Sequence, residues 1–259
     1  MHIVDDDTKY DLVFRPAMMY LQQSAATEGP GILCKTQHYG SLKLVASTAF
    51  PLQRANDDPH QRLLLCGVFM LAASHRIDIC SVHFSLSAAA RSQNARDVIH
   101  AADLLASKRT GFMGAQRDRD VQGTTIATEV GDFAVPLFLP YPTATIVVGD
   151  LNAEPEEESI QYLTSQGGFI DALHRASCAS DDHDTSGRCA ANETTASFTF
   201  DARSPLSLSK RIDYVLVKER NRGVKVTITS LCHRGCNSTA AGGVISDHVA
   251  LVADIEIHG

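Results

Sequence analysis

The stretch Gly149 to Pro155, GDLNAEP, follows the apolar run Ile146, Val147 and Val148 and sets a carboxylate, Asp150, two residues from a carboxamide, Asn152. A β-branched run of this kind forms a buried strand, and Gly149 lets the chain turn as it leaves the sheet. Two residues apart in extended backbone, Asp150 and Asn152 point the same way and would reach into one pocket. A negative hard oxygen, a neutral oxygen and an amide donor suit a divalent cation, a phosphate and an attacking water held close together. A plainer reading stands beside this one, with Asp150 and Asn152 as turn residues capping a helix that Pro155 and Glu156 to Glu158 would begin.

Three more short motifs begin or end an apolar run. Val82-His83-Phe84-Ser85 ends one, Arg211-Ile212-Asp213-Tyr214 starts another, and Ser246-Asp247-His248 precedes the last. Singly, each has an ordinary explanation, a hydrogen-bonded structural histidine or an aspartate in a surface turn. Jointly, His83, Asp150, Asn152, Asp213, Asp247 and His248 at strand ends are what metal-assisted phosphoester hydrolysis requires.

The elements that must position them follow from periodicity and turn signals. Strands are expected at Asp11 to Phe14, Gly31 to Cys34, Ser41 to Thr48, Leu63 to Leu71, Ile77 to Phe84, Ala144 to Val148, Ser197 to Phe200, Ile212 to Val217, Val224 to Ser230 and Ala250 to Ile257. Leu63 to Leu71 and Ile77 to Phe84 are nearly continuous in apolar residues and joined by a hairpin-sized connection, which marks them as central. Ser87 can cap a helix running to about Ser107, with Val98, Ile99, Ala102, Leu105 and Ala106 on one face. A second helix, Glu156 to Gln166, would end at Gly167-Gly168. Residues 108–130 and 176–195 have no period and read as polar insertions. With no repeat and no dividing linker, residues 1–259 form a single α/β domain, with two packed sheets or one large mixed sheet flanked by helices.

Composition narrows the setting. No apolar run approaches the roughly 20 residues that cross a bilayer. The amino terminus, MHIVDDDTKY, is too acidic and polar for a signal peptide, so the chain as written starts in the cytoplasm; secretion would require a signal peptide on a longer amino terminus. A net charge of −7 opposes sequence-independent nucleic-acid binding, which rests on a basic surface. It leaves a nuclease open, because a metal can supply local positive charge. Cys34, Cys66 and Cys80 stand in apolar surroundings and read as small core residues. Cys178 with Cys189, and Cys232 with Cys236, are close pairs in loop-like segments near the glycosylation-type triplets at Asn192 and Asn237, where disulfides would suit an oxidising compartment.

The order His, GDxN, RIDY, SDH resembles that of the endonuclease/exonuclease/phosphatase superfamily, and the likeness runs from about Arg15 to Ile257. The resemblance implies a four-layered α/β sandwich of two facing mixed sheets flanked by helices, and hydrolysis of phosphoesters, chiefly phosphodiesters, with Mg²⁺ or Mn²⁺. The substrate would be a small or lipid-linked phosphodiester or a nucleic acid. On this likeness His248, paired with Asp213, would be the general base or orient phosphate, and His83 would donate to a phosphate oxygen. Asp150 would position the attacking water, Asn152 would orient phosphate or Asp150, and Asp247, Asp150 and Asn152 would serve the metal.

Two features depart from the family pattern. The final motif usually reads SDHxP, and Ala250 stands at the proline position. The family's opening strand with its Asn, and the Gln-Glu whose Glu is the principal metal ligand, are absent before His83. Glu28 lies in a Gly-Pro turn that matches a different segment. The amino-terminal strands are therefore expected to be missing, and a truncated or impaired relative that binds without turnover is the competing expectation.

Overall fold

The computed structural model describes residues 10–19, 27–35, 42–54, 60–71, 75–107, 139–173, 199, 210–221, 225–234, 248 and 250–258. Strands β1 (Tyr10–Phe14), β2 (Met18–Met19), β3 (Thr27–Glu28), β4 (Gly31–Lys35), β5 (Leu42–Pro51), β6 (Leu63–Leu71) and β7 (His75–His83) precede helix α1 (Ala88–Ser107). Then come β8 (Pro142–Asp150), α2 (Glu158–Ser165), β9 (Ile170–Asp171), β10 (Asp213–Glu219), β11 (Lys225–Arg234) and β12 (Ala250–His258).

Six strands form one mixed sheet in the order β5-β6-β7-β8-β10-β9, and β11 pairs with β12 in a separate sheet. Every neighbour in the large sheet is antiparallel except β7 and β8, which run parallel with α1 in the crossover between them. The parallel pair brings two carboxyl ends together, with His83 beside Asp150 and, from β10, Asp213 opposite it.

The sheet is covered on both faces. On one, α1 and α2 close a core in which Val98, Ala102, Leu105, Ile160 and Leu163 meet Leu64, Val68, Val82 and Val147. Alanines on the buried stripe of α1 let the helix lie close to the strands. On the other face, Ile77, Ile146, Val215 and Val217 pack with Leu251, Ala253 and Ile255 of β12, which sets the two sheets face to face as expected for an α/β sandwich.

Two buried polar groups fasten α1. Arg76 grips Asp78 through two parallel bonds, Nε to Oδ1 at 2.8 Å and Nη2 to Oδ2 at 3.0 Å, and also donates to the Leu105 carbonyl at the end of the helix. Both side chains are fully buried. At the other end, the Asn94 carboxamide accepts from the Ser85 amide and donates to the Gln53 carbonyl, tying α1 to the loop that follows His83.

Several expectations are corrected. Helix α2 starts at Glu158 rather than Glu156, because the Glu157 carboxylate accepts from the Glu154 amide and is gripped by Arg91 of α1. Cys66 and Cys80 are core residues, but as a disulfide: the β6–β7 register that sets Leu71 opposite His75 also sets Cys66 opposite Cys80. Cys232 lies within β11, which runs on to Arg234, rather than in a loop. Gly149 does not turn the chain out of the sheet. It stays in β8 at a φ of 143°, and a Cβ there would stand 1.9 Å from the Val82 carbonyl oxygen, so only glycine permits this close approach. Residues 108–130 and 176–195, with Cys178, Cys189, Cys236, Asn192 and Asn237, lie outside the described residues, as does the expected strand at Ser197 to Phe200 apart from Thr199. Among the described residues no helix is long and apolar enough to cross a membrane.

Candidate active site

Sheet register assembles the site. His83 is the last residue of β7 and pairs in parallel register with Asp150, the last of β8. Asp150 is in turn opposite Asp213, the first residue of the antiparallel β10. Residues side by side across a sheet project to the same face, so three strands present an imidazole and two carboxylates in one row. His248 joins them just before β12, its Nδ1 2.9 Å from Asp213 Oδ2 and its Nε2 3.8 Å from Asp150 Oδ2. His83 Nε2 lies 3.5 Å from the same Asp150 oxygen.

Asn152 reaches the site differently from the extended geometry expected of it. Its φ is 49°, a left-handed conformation that Asn tolerates better than most residues, and its backbone amide donates to Asp150 Oδ1 at 2.8 Å. The side-chain amide donates to the Phe84 carbonyl at 3.0 Å and joins the ends of β7 and β8. Asn152 therefore orients Asp150 through its main chain. The capping interpretation of Asp150 and Asn152 fails, since α2 begins at Glu158 with no side-chain cap.

Supporting contacts come from residues around the motifs as well as within them. Thr199, fully buried, accepts at Oγ1 from the amides of Ile212 and Asp213, both at 3.1 Å, and fixes the start of β10. The Tyr214 hydroxyl donates to the Ala153 carbonyl at 2.9 Å and anchors the loop after Asp150. Arg62, next to the first residue of β6, places Nη1 3.2 Å from His83 Nδ1. Thr199 and Arg62 are far from their partners in sequence, and only the folded register reveals them; Tyr214 stands within the RIDY motif.

Two of these groups are held away from their ordinary protonation ranges. Burial pushes the Asp150 carboxyl up to about 6, with the neighbouring Asp213 charge acting in the same sense and the Asn152 amide opposing it. Burial and the Arg62 cation hold His83 down at about 4, so it is neutral at physiological pH. Asp150, Asp213 and His248 can each offer one ligand atom within 4.8 Å of the others, which suits a divalent cation: two carboxylates supply hard oxygens and negative charge, and burial of Asp150 is a cost that a cation relieves. Asp247 lies outside the described residues. Glu28 does not join this group and instead has Oε1 3.7 Å from Arg62 Nη1.

Comparison with known proteins agrees with this architecture. A sequence profile of the Endonuclease/Exonuclease/phosphatase family matches residues 52–248. No curated protein matches by sequence. Among solved structures, an endonuclease/exonuclease/phosphatase from Bacteroides vulgatus is similar at a TM-score of 0.61 and 15% identity, over 96% of this chain and 77% of that one. The human Nocturnin catalytic domain with bound sulfate is similar at 0.57 and 17% identity, over 96% and 73%. The mannosyl-6-phosphatase of Bacteroides thetaiotaomicron is similar at 0.55 and 16%, over 95% and 77%. At these identities the structural likeness shows the fold.

Proposed function

Because the chain belongs to the Endonuclease/Exonuclease/phosphatase family, we propose that it is a Mg²⁺- or Mn²⁺-dependent hydrolase of phosphoester bonds that acts by in-line attack of water on phosphorus. The observation that carries this reading is the convergence of Asp150, Asp213 and His248 within 4.8 Å, with His83 beside them.

Asp150 would hold the cation with Asp213 beside it, and Asn152 and Asp247 of the adjoining motifs would offer further oxygens. A bound divalent cation supplies charge neutralisation and Lewis-acid polarisation of the phosphoryl group. The side chains divide the remaining work. Asp213 accepts the Nδ1 proton of His248 and leaves Nε2 with a lone pair turned toward Asp150, the arrangement of a base that can take a proton from water. His83 brings its Nε2 to 3.5 Å from the same Asp150 oxygen, where a donor can bind a phosphoryl oxygen and stabilise the charge that builds up on it.

The net charge of −7 favours a small or lipid-linked phosphodiester at least as much as nucleic acid. A similar fold that carries a mannosyl-6-phosphatase puts phosphomonoesters in the same test panel. The position of Glu28, against Arg62 and outside the carboxylate–histidine group, favours a second reading, a relative that binds phosphoesters without turning them over.

Hydrolysis of a phosphodiester in ¹⁸O-labelled water with Mn²⁺ separates these readings. One labelled oxygen in the phosphate product supports attack at phosphorus. Label in the alcohol product overturns that mechanism, and saturable binding without product supports the second reading.

A further inference from the structure

Arg62 is held more firmly than an incidental neighbour would be. Its residue is 7% exposed, its carbonyl accepts from the Leu52 amide and the Gln61 carboxamide, and its Nη1 lies 3.2 Å from His83 Nδ1 and 3.7 Å from Glu28 Oε1. Along with Glu28 and His83 it lines a groove of about 270 Å³ beside the site.

A guanidinium has only donors and does not lose its proton in proteins. The ring nitrogen that faces it must therefore accept, which places the proton of His83 on Nε2, the atom 3.5 Å from Asp150. A doubly protonated ring would set one N–H against another. His248 is held the opposite way, with Nδ1 on a carboxylate acceptor.

We propose that Arg62 is a positioning residue that fixes His83 as the Nε2–H tautomer, so that the two histidines of the site are committed to different tasks. His83 is a fixed donor and His248 is an acceptor at Nε2. Arg62 acts only through the ring, and Glu28 supplies a carboxylate 3.7 Å from the same Nη1. The tautomer rests on contact geometry, and its effect on rate rests on the phosphoester-hydrolase reading.

The test is long-range ¹H–¹⁵N NMR of the histidine rings in the full, metal-free chain, with His83 assigned from the spectrum of His83→Gln. The Nε2–H pattern is expected for His83 in the wild type and in Arg62→Lys, which still offers only donors. In Arg62→Met the pattern should move toward a mixture of tautomers. With bis-p-nitrophenyl phosphate and Mn²⁺, kcat of Arg62→Met should drop ~10-fold with KM little changed, and Arg62→Lys should recover part of it. A proton on Nδ1 of His83 in the wild type overturns the proposal, and so does an unchanged His83 pattern in folded Arg62→Met. If Arg62→Met does not fold, the wild-type tautomer and Arg62→Lys decide. An inactive wild type contradicts the hydrolase reading, and the NMR result still decides the tautomer.

Discussion

Asp150 carries the conflict of the site in one side chain. Its carboxyl is 19% exposed and faces a second carboxylate, Asp213, across the β8–β10 register, and its folded pKa rises from 3.8 to about 6. Between those two values the folded chain retains a proton that the unfolded chain has lost. Raising pH through that window therefore removes stability, and the loss is complete above about 6. Asp150→Asn should stabilise the metal-free protein near pH 7 by on the order of 1–3 kcal/mol, and should give no gain below the unfolded value. Thermal denaturation at pH 7 and at acid pH measures both. A variant less stable than wild type at pH 7 would show that the carboxylate is satisfied as it stands. The sequence made this residue legible because a carboxylate at the end of a β-branched run is conspicuous. It did not reveal the left-handed Asn152, whose backbone amide does the orienting, because extended geometry is the default assumption for alternate residues.

At the scale of elements, the site depends on β7, β8 and β10 ending in register, and α1 keeps β7 in place. The Arg76–Asp78 pair joins β7 to the last turn of α1 with both charges buried. Removing one partner leaves the other charge stranded, so Arg76→Met should cost about 3–5 kcal/mol, while the double change Arg76→Met with Asp78→Leu should recover most of it. Chemical denaturation of the single and double variants gives both values; equal losses would mean that the pair does not act as a unit. The strands themselves were readable from continuous apolar runs and turn signals, and the helix from its 3.6-residue period. The β6–β7 disulfide was not, because Cys66 and Cys80 stand in runs that explain them equally well as small core residues, and only the strand register puts them opposite each other. Helix α2 was drawn too long for a related reason: Glu157 looks like a first-turn acid, but it is occupied by Arg91 from another helix.

For the whole molecule, the fold was legible because three short motifs stand at strand ends on one side of the large sheet and His248 of the fourth meets them from just before β12. Their order identified the family before any contact was visible. What sequence could not supply is the set of long-range partners, Arg62 to His83 and Thr199 to Asp213, whose only link is three-dimensional. The overall charge of −7 has a consequence at this scale. Binding to duplex DNA should be weak, and hydrolysis of a small phosphodiester should change little between low and moderate salt, as measured by rates across a salt series. Strong DNA nicking with a steep salt dependence would show that a local basic surface outweighs the net charge.

The most direct test of the central claim is the rate of bis-p-nitrophenyl phosphate hydrolysis with Mn²⁺ or Mg²⁺ by the wild type, His248→Ala and Asp150→Ala. Turnover should require the metal and fall at least ~100-fold in each variant. Equal rates in all three proteins would contradict it.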